Sequence, residues 1–212
     1  MPASFLTIDP GLDQVAAARW EWAHTSQPAE RALRGVQVAG TNPDLSIDTR
    51  LSILSSWLTH ELQVVPTLAV IIEKPSRGGM YDRSRHVMVA VQESLYWSTL
   101  ASGALVLTCR LAGVRVELLE VGTLKKEKKH AIARRVIEAA GLKLPPRRKV
   151  WREDELDAVA VGCQAMADRR FFWLSQAYSD VRDASANGSR GPAAAGEGGS
   201  LFDPPPSAPI GE

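Results

Sequence analysis

Two short apolar segments of this chain each end in a carboxylate that has a proline close behind it. The first covers residues 5–9 and ends in Asp9, and the second covers residues 67–73 and ends in Glu73. The second segment, TLAVIIE, is almost continuously apolar, which is typical of a strand buried on both faces of a helix-covered parallel sheet. A central strand that ends this way places a charge at the rim of a sheet, where it can hold a metal ion. Asp9 alone has a simpler interpretation as a turn residue, because Pro10 and Gly11 follow it.

The other segments complete a mixed α/β pattern. Strands are predicted at residues 14–22 and 36–40, and their short spacing after the first strand favours an antiparallel meander. Apolar residues at helical spacing predict a helix over residues 48–62, with Asp48 as its N-cap. Further predicted elements are helices at 84–111 and 125–140, a strand at 114–121, and a last helix from 153 to about 173 or 181. The order predicts an α/β fold with a five-stranded mixed sheet, three strands antiparallel and two parallel, flanked by helices.

Composition indicates one folded domain with a tail. Of the 212 residues, 45% are hydrophobic and 23% charged, which is ordinary for a globular protein. Residues 1–183 are the predicted domain, and residues 184–212, rich in Gly, Ala, Pro and Ser, are predicted to be disordered. The two cysteines form no metal or disulfide motif, so we expect them to be reduced core residues. Because no membrane span or secretory signal is apparent either, we expect a cytoplasmic protein.

Positive charge is concentrated in one segment, residues 125–152. It contains eleven Lys or Arg and two acids, a net charge of +9, whereas the whole chain carries +1. A solubilising helix surface is one interpretation, but so few interspersed acids favour a track for phosphates. His130 lies in this segment, and we expect it to be a plain surface residue, with contact to a phosphate as the alternative.

A third acidic group opens the last helix. Asp154 and Asp157 are three residues apart, so on a helix they lie about 5–6 Å from each other on one face. Glu153 and Glu155 have a simpler explanation as acids that interact favourably with the helix dipole. Together with Asp9 and Glu73, the aspartate pair could hold two Mg²⁺ ions, which prefer carboxylate oxygens and suit phosphodiester hydrolysis.

Three motifs resemble the acidic motifs of RuvC-type Holliday junction resolvases in the RNase H-like (retroviral integrase) superfamily. They are IDPG at 8–11, VIIEKP at 70–75 and DELDAVAVG at 154–162, and their order and spacing match over roughly residues 4–172. The resemblance implies an RNase H-like fold and a homodimeric, Mg²⁺-dependent crossover junction endonuclease of DNA recombination and repair, in which Mn²⁺ can substitute. The chain is identified as a divergent or phage-type member, because of its added tail.

The resemblance also implies roles for particular residues. The metal ligands would be Asp9, Glu73, Asp154 and Asp157, with Glu153 as the alternative to Asp154. Lys125 and Lys129 are the expected catalytic lysines. In the loop at 74–83, Tyr81 is a candidate wedge in the junction, with Met80 as the alternative, although Tyr81 could equally pack against the next helix. The residues expected to contact DNA are Lys74, Arg77, Tyr81, Lys126, Lys128, Arg134, Arg147, Arg148 and Lys149.

Other functions fit parts of this pattern. A related nuclease could cut another branched DNA or process RNA, because the loops that select the substrate carry no readable signal. A DNA-binding protein that has lost catalysis is a second alternative, against which the presence of all four acids counts. An actin-like phosphotransferase, which also has D-x-G after a first strand, is disfavoured because the chain is too short for two lobes. No P-loop motif is present either. The expected partners are branched DNA and a second copy of the chain, without a membrane or a nucleotide cofactor.

Overall fold

A five-stranded mixed sheet forms the centre of the computed structural model, which describes residues 4–75, 85–120, 126–146 and 148–188, without the side chains of residues 85–94 and 185–188. The strand order is β3-β2-β1-β4-β5. Antiparallel pairing joins β1 to β2 and β2 to β3, whereas β1 pairs with β4 and β4 with β5 in parallel. The predicted fold class is therefore confirmed. The strands are β1 (Ser4–Asp9), β2 (Gln14–Trp20), β3 (Leu33–Gly40), β4 (Thr67–Glu73) and β5 (Arg115–Leu119).

Helices cover both faces of this sheet. They are α1 (Ala29–Ala32), α2 (Ile47–Val64), α3 (Arg85–Leu111), α4 (Lys126–Ala139), α5 (Glu153–Ala167) and α6 (Trp173–Gly188), with a 3₁₀ turn at Arg169–Phe171. No helix in the described ranges is both long enough and apolar enough to span a bilayer.

Several predicted boundaries were wrong. The N-cap of α2 is Ser46, whose Oγ accepts a hydrogen bond from the Thr49 amide at 3.3 Å, and Asp48 lies in the first turn instead. The predicted last helix is interrupted after Ala167, because the Asp168 carboxylate accepts the Arg170 amide at 3.0 Å and starts the 3₁₀ turn. The chain then continues as α6 from Trp173 to Gly188. Strand β2 ends at Trp20, two residues early, and the short helix α1 was not predicted.

Side-chain alternation along the strands decides which helices each residue meets. In β1, Leu6 and Ile8 join an apolar cluster with Leu54, Leu58 and other residues of α2 and α3. Phe5 points to the opposite face and joins a larger cluster that contains residues of α4, α5 and α6. Because side chains alternate with a period of two, Asp9 lies on the face of Phe5, beneath α5. The same alternation places Glu73 on the face of Ile71, which belongs to the same cluster.

Helix α5 lies unusually close to the sheet. A Cβ atom on Gly162 would overlap the indole of Trp20 on β2. The Trp20 indole N–H donates to Thr7 Oγ1 at 2.8 Å, and Thr7 Oγ1 donates to the carbonyl oxygen of Ala158 at 2.7 Å. All these groups are buried, so they fix both the height and the position of α5 over β1. This agrees with the prediction that the small residues after Asp157 let the helix lie against a sheet.

Candidate active site

Four acidic side chains from three elements interact electrostatically at one end of the sheet. Asp9 ends β1, Glu73 ends the parallel neighbour β4, and Asp154 and Asp157 lie at the start of α5. Burial raises the pKa of Asp9 well above its usual range, and the nearby charges of Glu73, Asp157 and Asp154 raise it further. The structure thus brings together the four acids that were singled out in the sequence.

The other acids show the same crowding. Burial is the main cause that raises the pKa of Glu73, with a contribution from Asp157 and an opposing effect from Lys129. The pKa of Asp154 is also raised by burial first and then by Asp157 and Glu153, while a hydrogen bond from Gln14 opposes the rise. Each of these groups would gain from a positive charge placed among them.

Lys129 on α4 contacts two of the acids. Its ammonium lies 2.9 Å from Asp157 Oδ1 and 3.4 Å from both carboxylate oxygens of Glu73. Burial lowers the pKa of Lys129, but Glu73, Asp157 and Asp9 outweigh that effect and raise it overall. Lys129 is therefore a cation at neutral pH and offsets part of the repulsion among the carboxylates.

His130 differs from expectation. It was predicted at the surface, but it is 5% exposed, and its Nε2 lies 2.9 Å from Asp157 Oδ1. It shares the buried face of α4 with Ala133, Val136 and Ile137. Asp157 is thus held between two consecutive α4 side chains, Lys129 and His130.

Two further residues support Asp154. The side-chain amide of Gln14, the first residue of β2, donates to Asp154 Oδ2. Arg152 donates in turn to the Gln14 side-chain oxygen. Glu153, the alternative metal ligand, instead points outward and pairs with Lys126, which lowers the pKa of Glu153. The geometry therefore favours Asp154 over Glu153 as the member of the acidic group.

The start of α5 is fixed by a buried acid. Glu155 is 1% exposed, and its two carboxylate oxygens accept from the Arg152 amide at 2.8 Å and from Arg148 Nη2 at 2.6 Å. The guanidinium of Arg148 also lies 5.9 Å from the centre of the Trp151 ring. Arg148, one of the residues predicted to contact DNA, thus pairs with Glu155 and anchors the loop before α5.

The remaining predicted DNA contacts are at the surface. Lys126, Lys128, Arg134 and Lys149 are exposed. Lys74 is exposed too, and its ammonium lies 3.8 Å from Glu120. Lys125, Arg77, Tyr81 and Arg147, with the alternative wedge Met80, lie outside the described residues.

The donor chemistry of the acidic group fits a hard divalent cation, because it supplies carboxylate oxygens whose mutual repulsion such an ion would relieve. However, no three His, Cys, Asp or Glu side chains in the described part of the chain are arranged as a preformed metal site. Lys129 makes two of the contacts that a cation would make, to Glu73 and Asp157. The residues therefore fit the ion chemically, while the side chains are arranged around a lysine.

The sequence analysis did not predict the roles of three residues of this site. Burial of His130 had a readable signal, since it lies three and seven residues before the apolar Ala133 and Ile137. Glu155 occupies the N3 position of a helix, where it accepts the backbone amide of Arg152, so a capping box was a possible signal. The role of Gln14 had no signal in the sequence, because Gln14 and its partner Asp154 are 140 residues apart.

The five-stranded mixed sheet with helices on both faces is an RNase H-like fold. The solved structures similar to it include Thermus thermophilus RuvC in complex with a Holliday junction substrate, with a TM-score of 0.56 and 22% identity, covering 79% of this chain and 96% of that one. A second structure of Thermus thermophilus RuvC matches with a TM-score of 0.51 and 19% identity, covering 85% of this chain and 96% of that one. No family model and no curated protein matches the sequence. The chain therefore has the RuvC fold.

Proposed function

We propose that this protein is a metal-dependent, structure-specific endonuclease that resolves four-way DNA junctions by paired symmetric nicks. The observation that carries the proposal is the interaction of Asp9, Glu73, Asp154 and Asp157 at one end of an RNase H-like sheet. Packing does not explain this group, because four acids close together are mutually unfavourable. Such a group suits the binding of cations that act on a phosphodiester.

Under this proposal the four acids would hold Mg²⁺, with Mn²⁺ able to substitute. Divalent ions in such a site stabilise the attacking and leaving oxygens of a phosphodiester. The supporting observation is that burial, and after it the charges of neighbouring acids, raise the pKa of Asp9, Glu73 and Asp154.

The chain's own residues have separate tasks in this mechanism. Gln14 orients Asp154, and His130 orients Asp157. Lys129 supplies a permanent positive charge beside the acids, where it can also bind an oxygen of the phosphate. Since its Nζ already lies between Glu73 and Asp157, no rearrangement of α4 is needed to bring this cation to the reacting group.

Exposed basic residues around the site would hold the DNA backbone. Lys128 and Arg134 extend along α4, while Lys149 lies in the loop before α5. Contacts of this type carry little sequence information, and binding should weaken steeply as salt concentration rises. The resemblance to the fold of a junction-bound resolvase supports branched DNA as the partner.

The test compares a labelled four-way junction, a flap, a plain duplex, single-stranded DNA and RNA, each with Mg²⁺ or Mn²⁺, and maps the nicks. The expected result is symmetric nicking of the junction alone. Cutting of many branched substrates or of RNA would show a different nuclease, and tight binding without cutting would show an inactive DNA-binding protein.

A substitution in the site sharpens this test. Asp9→Asn keeps the shape of the side chain and removes its charge, so cleavage should fall by at least about a hundredfold. Junction binding in Ca²⁺ or EDTA should persist, which a gel-shift assay measures. The matched control is Asp44→Asn, an exposed aspartate in the loop before α2. Undiminished cutting by Asp9→Asn would refute the proposed metal site.

A further inference from the structure

A cleft of about 1100 Å³ opens beside Asp9 and Asp154, on the side away from α4. Its walls are the turn between β1 and β2, the loop that leads into α2, and one turn of α3. Ligand pockets commonly measure about 300–1,000 Å³, so the cleft is large enough for a nucleotide. Apart from Asp9, Asp154 and Gln14, the proposed function makes no use of the residues that line the cleft.

Much of the wall is apolar. Leu12 is buried at the base, whereas Leu45 and Ile47 are 38% and 37% exposed, and Pro43 and Trp97 also line the cleft. Exposed apolar side chains next to an indole form a surface suited to a flat, uncharged ring, because aromatic side chains stack on nucleobases of any sequence.

The charges of the cleft disfavour a phosphate. Asp9, Asp13 and Asp154 contribute three carboxylates, and Arg50 is the single cation among the described lining residues. Arg50 is already engaged, since it donates to Asp13 and, at 3.1 Å, to Thr41 Oγ1. The N-terminus of α2 faces the cleft but is capped by Ser46 and followed by Asp48, so it offers little attraction to an anion.

The basic residues of the proposed active site lie elsewhere. Lys126 and Lys129 belong to α4 and contact Glu153, Glu73 and Asp157, none of which lines the cleft. A DNA strand crossing the four acids would therefore meet positive charge on one side and an apolar, negatively charged cleft on the other. This asymmetry matches the two sides of a nucleotide, phosphate and base.

We propose that the cleft receives an unpaired nucleobase of the strand being cut, next to the scissile phosphate that divalent ions at the four acids would hold. The inference rests on the proposed function, because it takes the strand at these acids to be the substrate. Trp97, Leu45 and Ile47 would contact the base.

The wall is organised before any strand arrives. Thr41 Oγ1 donates to the Leu12 carbonyl at 2.8 Å, and the Thr41 amide donates to the Asp13 carbonyl at 2.8 Å. Gly11 permits the tight turn, since a Cβ there would lie 2.5 Å from the Gln14 carbonyl oxygen. The base would thus enter a shaped pocket and lose little energy to ordering of the protein.

The test scans single abasic sites along the cut strand of a four-way junction. For the wild-type protein, we expect removal of one base at a fixed offset from the nick to lower the cleavage rate about tenfold, with neighbouring positions affected much less. Trp97→Ala and Leu45→Ala should cut the intact and abasic junctions at equal rates. Leu107→Ala, an exposed residue on α3 that does not line the cleft, should behave as wild type.

A second readout does not depend on cutting. Placed at the same offset, 2-aminopurine should change its fluorescence when the junction binds in Ca²⁺ buffer, and Trp97→Ala should abolish the change. A protein that binds junctions without cutting them would refute the proposed nuclease and still leave this measurement decisive. If 2-aminopurine fluorescence stayed unchanged at every position, or if the abasic scan showed no preferred offset, the proposal of a base pocket would be wrong.

Discussion

Lys129 places a positive charge beside the acidic group, in a partly buried position. Its side chain is 13% exposed and contacts Glu73 and Asp157, whose side chains are 21% and 18% exposed. Such partly buried charges are stable only while they are paired. The lysine therefore contributes to the stability of the metal-free protein as well as to its proposed chemistry.

Replacing Lys129 should separate these two effects. We expect Lys129→Met to lower the free energy of unfolding in EDTA by about 1–3 kcal/mol, because Glu73 and Asp157 lose their cation. Added Mg²⁺ should restore more stability to this variant than to the wild type. Urea unfolding with and without Mg²⁺ measures both quantities. Lys128→Met, an exposed neighbour on α4, should stay within about 0.5 kcal/mol of the wild type; equal losses in the two variants would contradict the ion-pair interpretation.

The thiols of Cys109 and Cys163 have pKa values that burial raises. Burial raises the pKa of Cys109 to about 12, and burial likewise raises that of Cys163 to about 12. An unfolded cysteine has a pKa of about 8.5, so between roughly pH 9 and 10 the thiols are protonated in the native protein and largely ionised in the unfolded one.

This difference predicts a reactivity pattern. In the native protein at pH ~9, both thiols should react with a disulfide reagent far more slowly than in urea, because the thiolate is the nucleophile. Absorbance of the released reagent anion follows the reaction, with free cysteine as the control for the reagent. Rapid modification of either thiol without denaturant would contradict the burial of Cys109 or the raised pKa of both groups.

At the scale of the elements, the site depends on how closely α5 approaches the sheet. Gly162 and Ala158 leave room for Trp20 and for the hydrogen bond from Thr7. On the same helix, Asp157 directly precedes Ala158, and Asp154 lies one turn before it. A change in its distance from β1 would therefore move both acids relative to Asp9.

Gly162→Ala tests this dependence. The added methyl group would meet the Trp20 indole, so we expect a loss of about 1–3 kcal/mol in unfolding free energy. Cleavage should fall more than the loss of folded protein explains, because the acids shift. Gly103→Ala is the matched control, since Gly103 is also helical but has open space around it. That substitution should stabilise the protein by up to about 1 kcal/mol, and an equally benign Gly162→Ala would contradict the close packing.

Elements are also the scale at which the sequence was most informative. Apolar runs and their acidic ends predicted β1 and β4, because strand burial leaves a direct mark on composition. The spacing of Asp154 and Asp157 placed both on one face of α5. The break after Ala167 depends on one local hydrogen bond of Asp168, and the pairing of Arg148 with Glu155 depends on a loop path, so neither is visible as periodicity.

At the scale of the whole molecule, the parallel pairing of β1 and β4 brings together Asp9 and Glu73, which are 64 positions apart in sequence. Helix α5, much later in the chain, adds Asp154 and Asp157. The described part of the chain contains one such group of acids. One site of this kind can cut one strand at a time. Under the proposed function, two symmetric nicks made while one junction stays bound would need two chains, which is why we expect a homodimer.

A mixed dimer tests this requirement. Wild-type and Asp9→Asn chains carrying different tags are co-expressed, and the dimer that contains one of each is purified. On a supercoiled plasmid with an extruded cruciform, the wild-type dimer should yield linear DNA, because both strands are cut while the complex lasts. The mixed dimer should yield mainly nicked circles, and the double Asp9→Asn dimer should yield neither. Light scattering on the wild-type protein gives its mass in the same buffer. A monomeric mass together with linear product would show that one chain makes both cuts, and the homodimer proposal would fail.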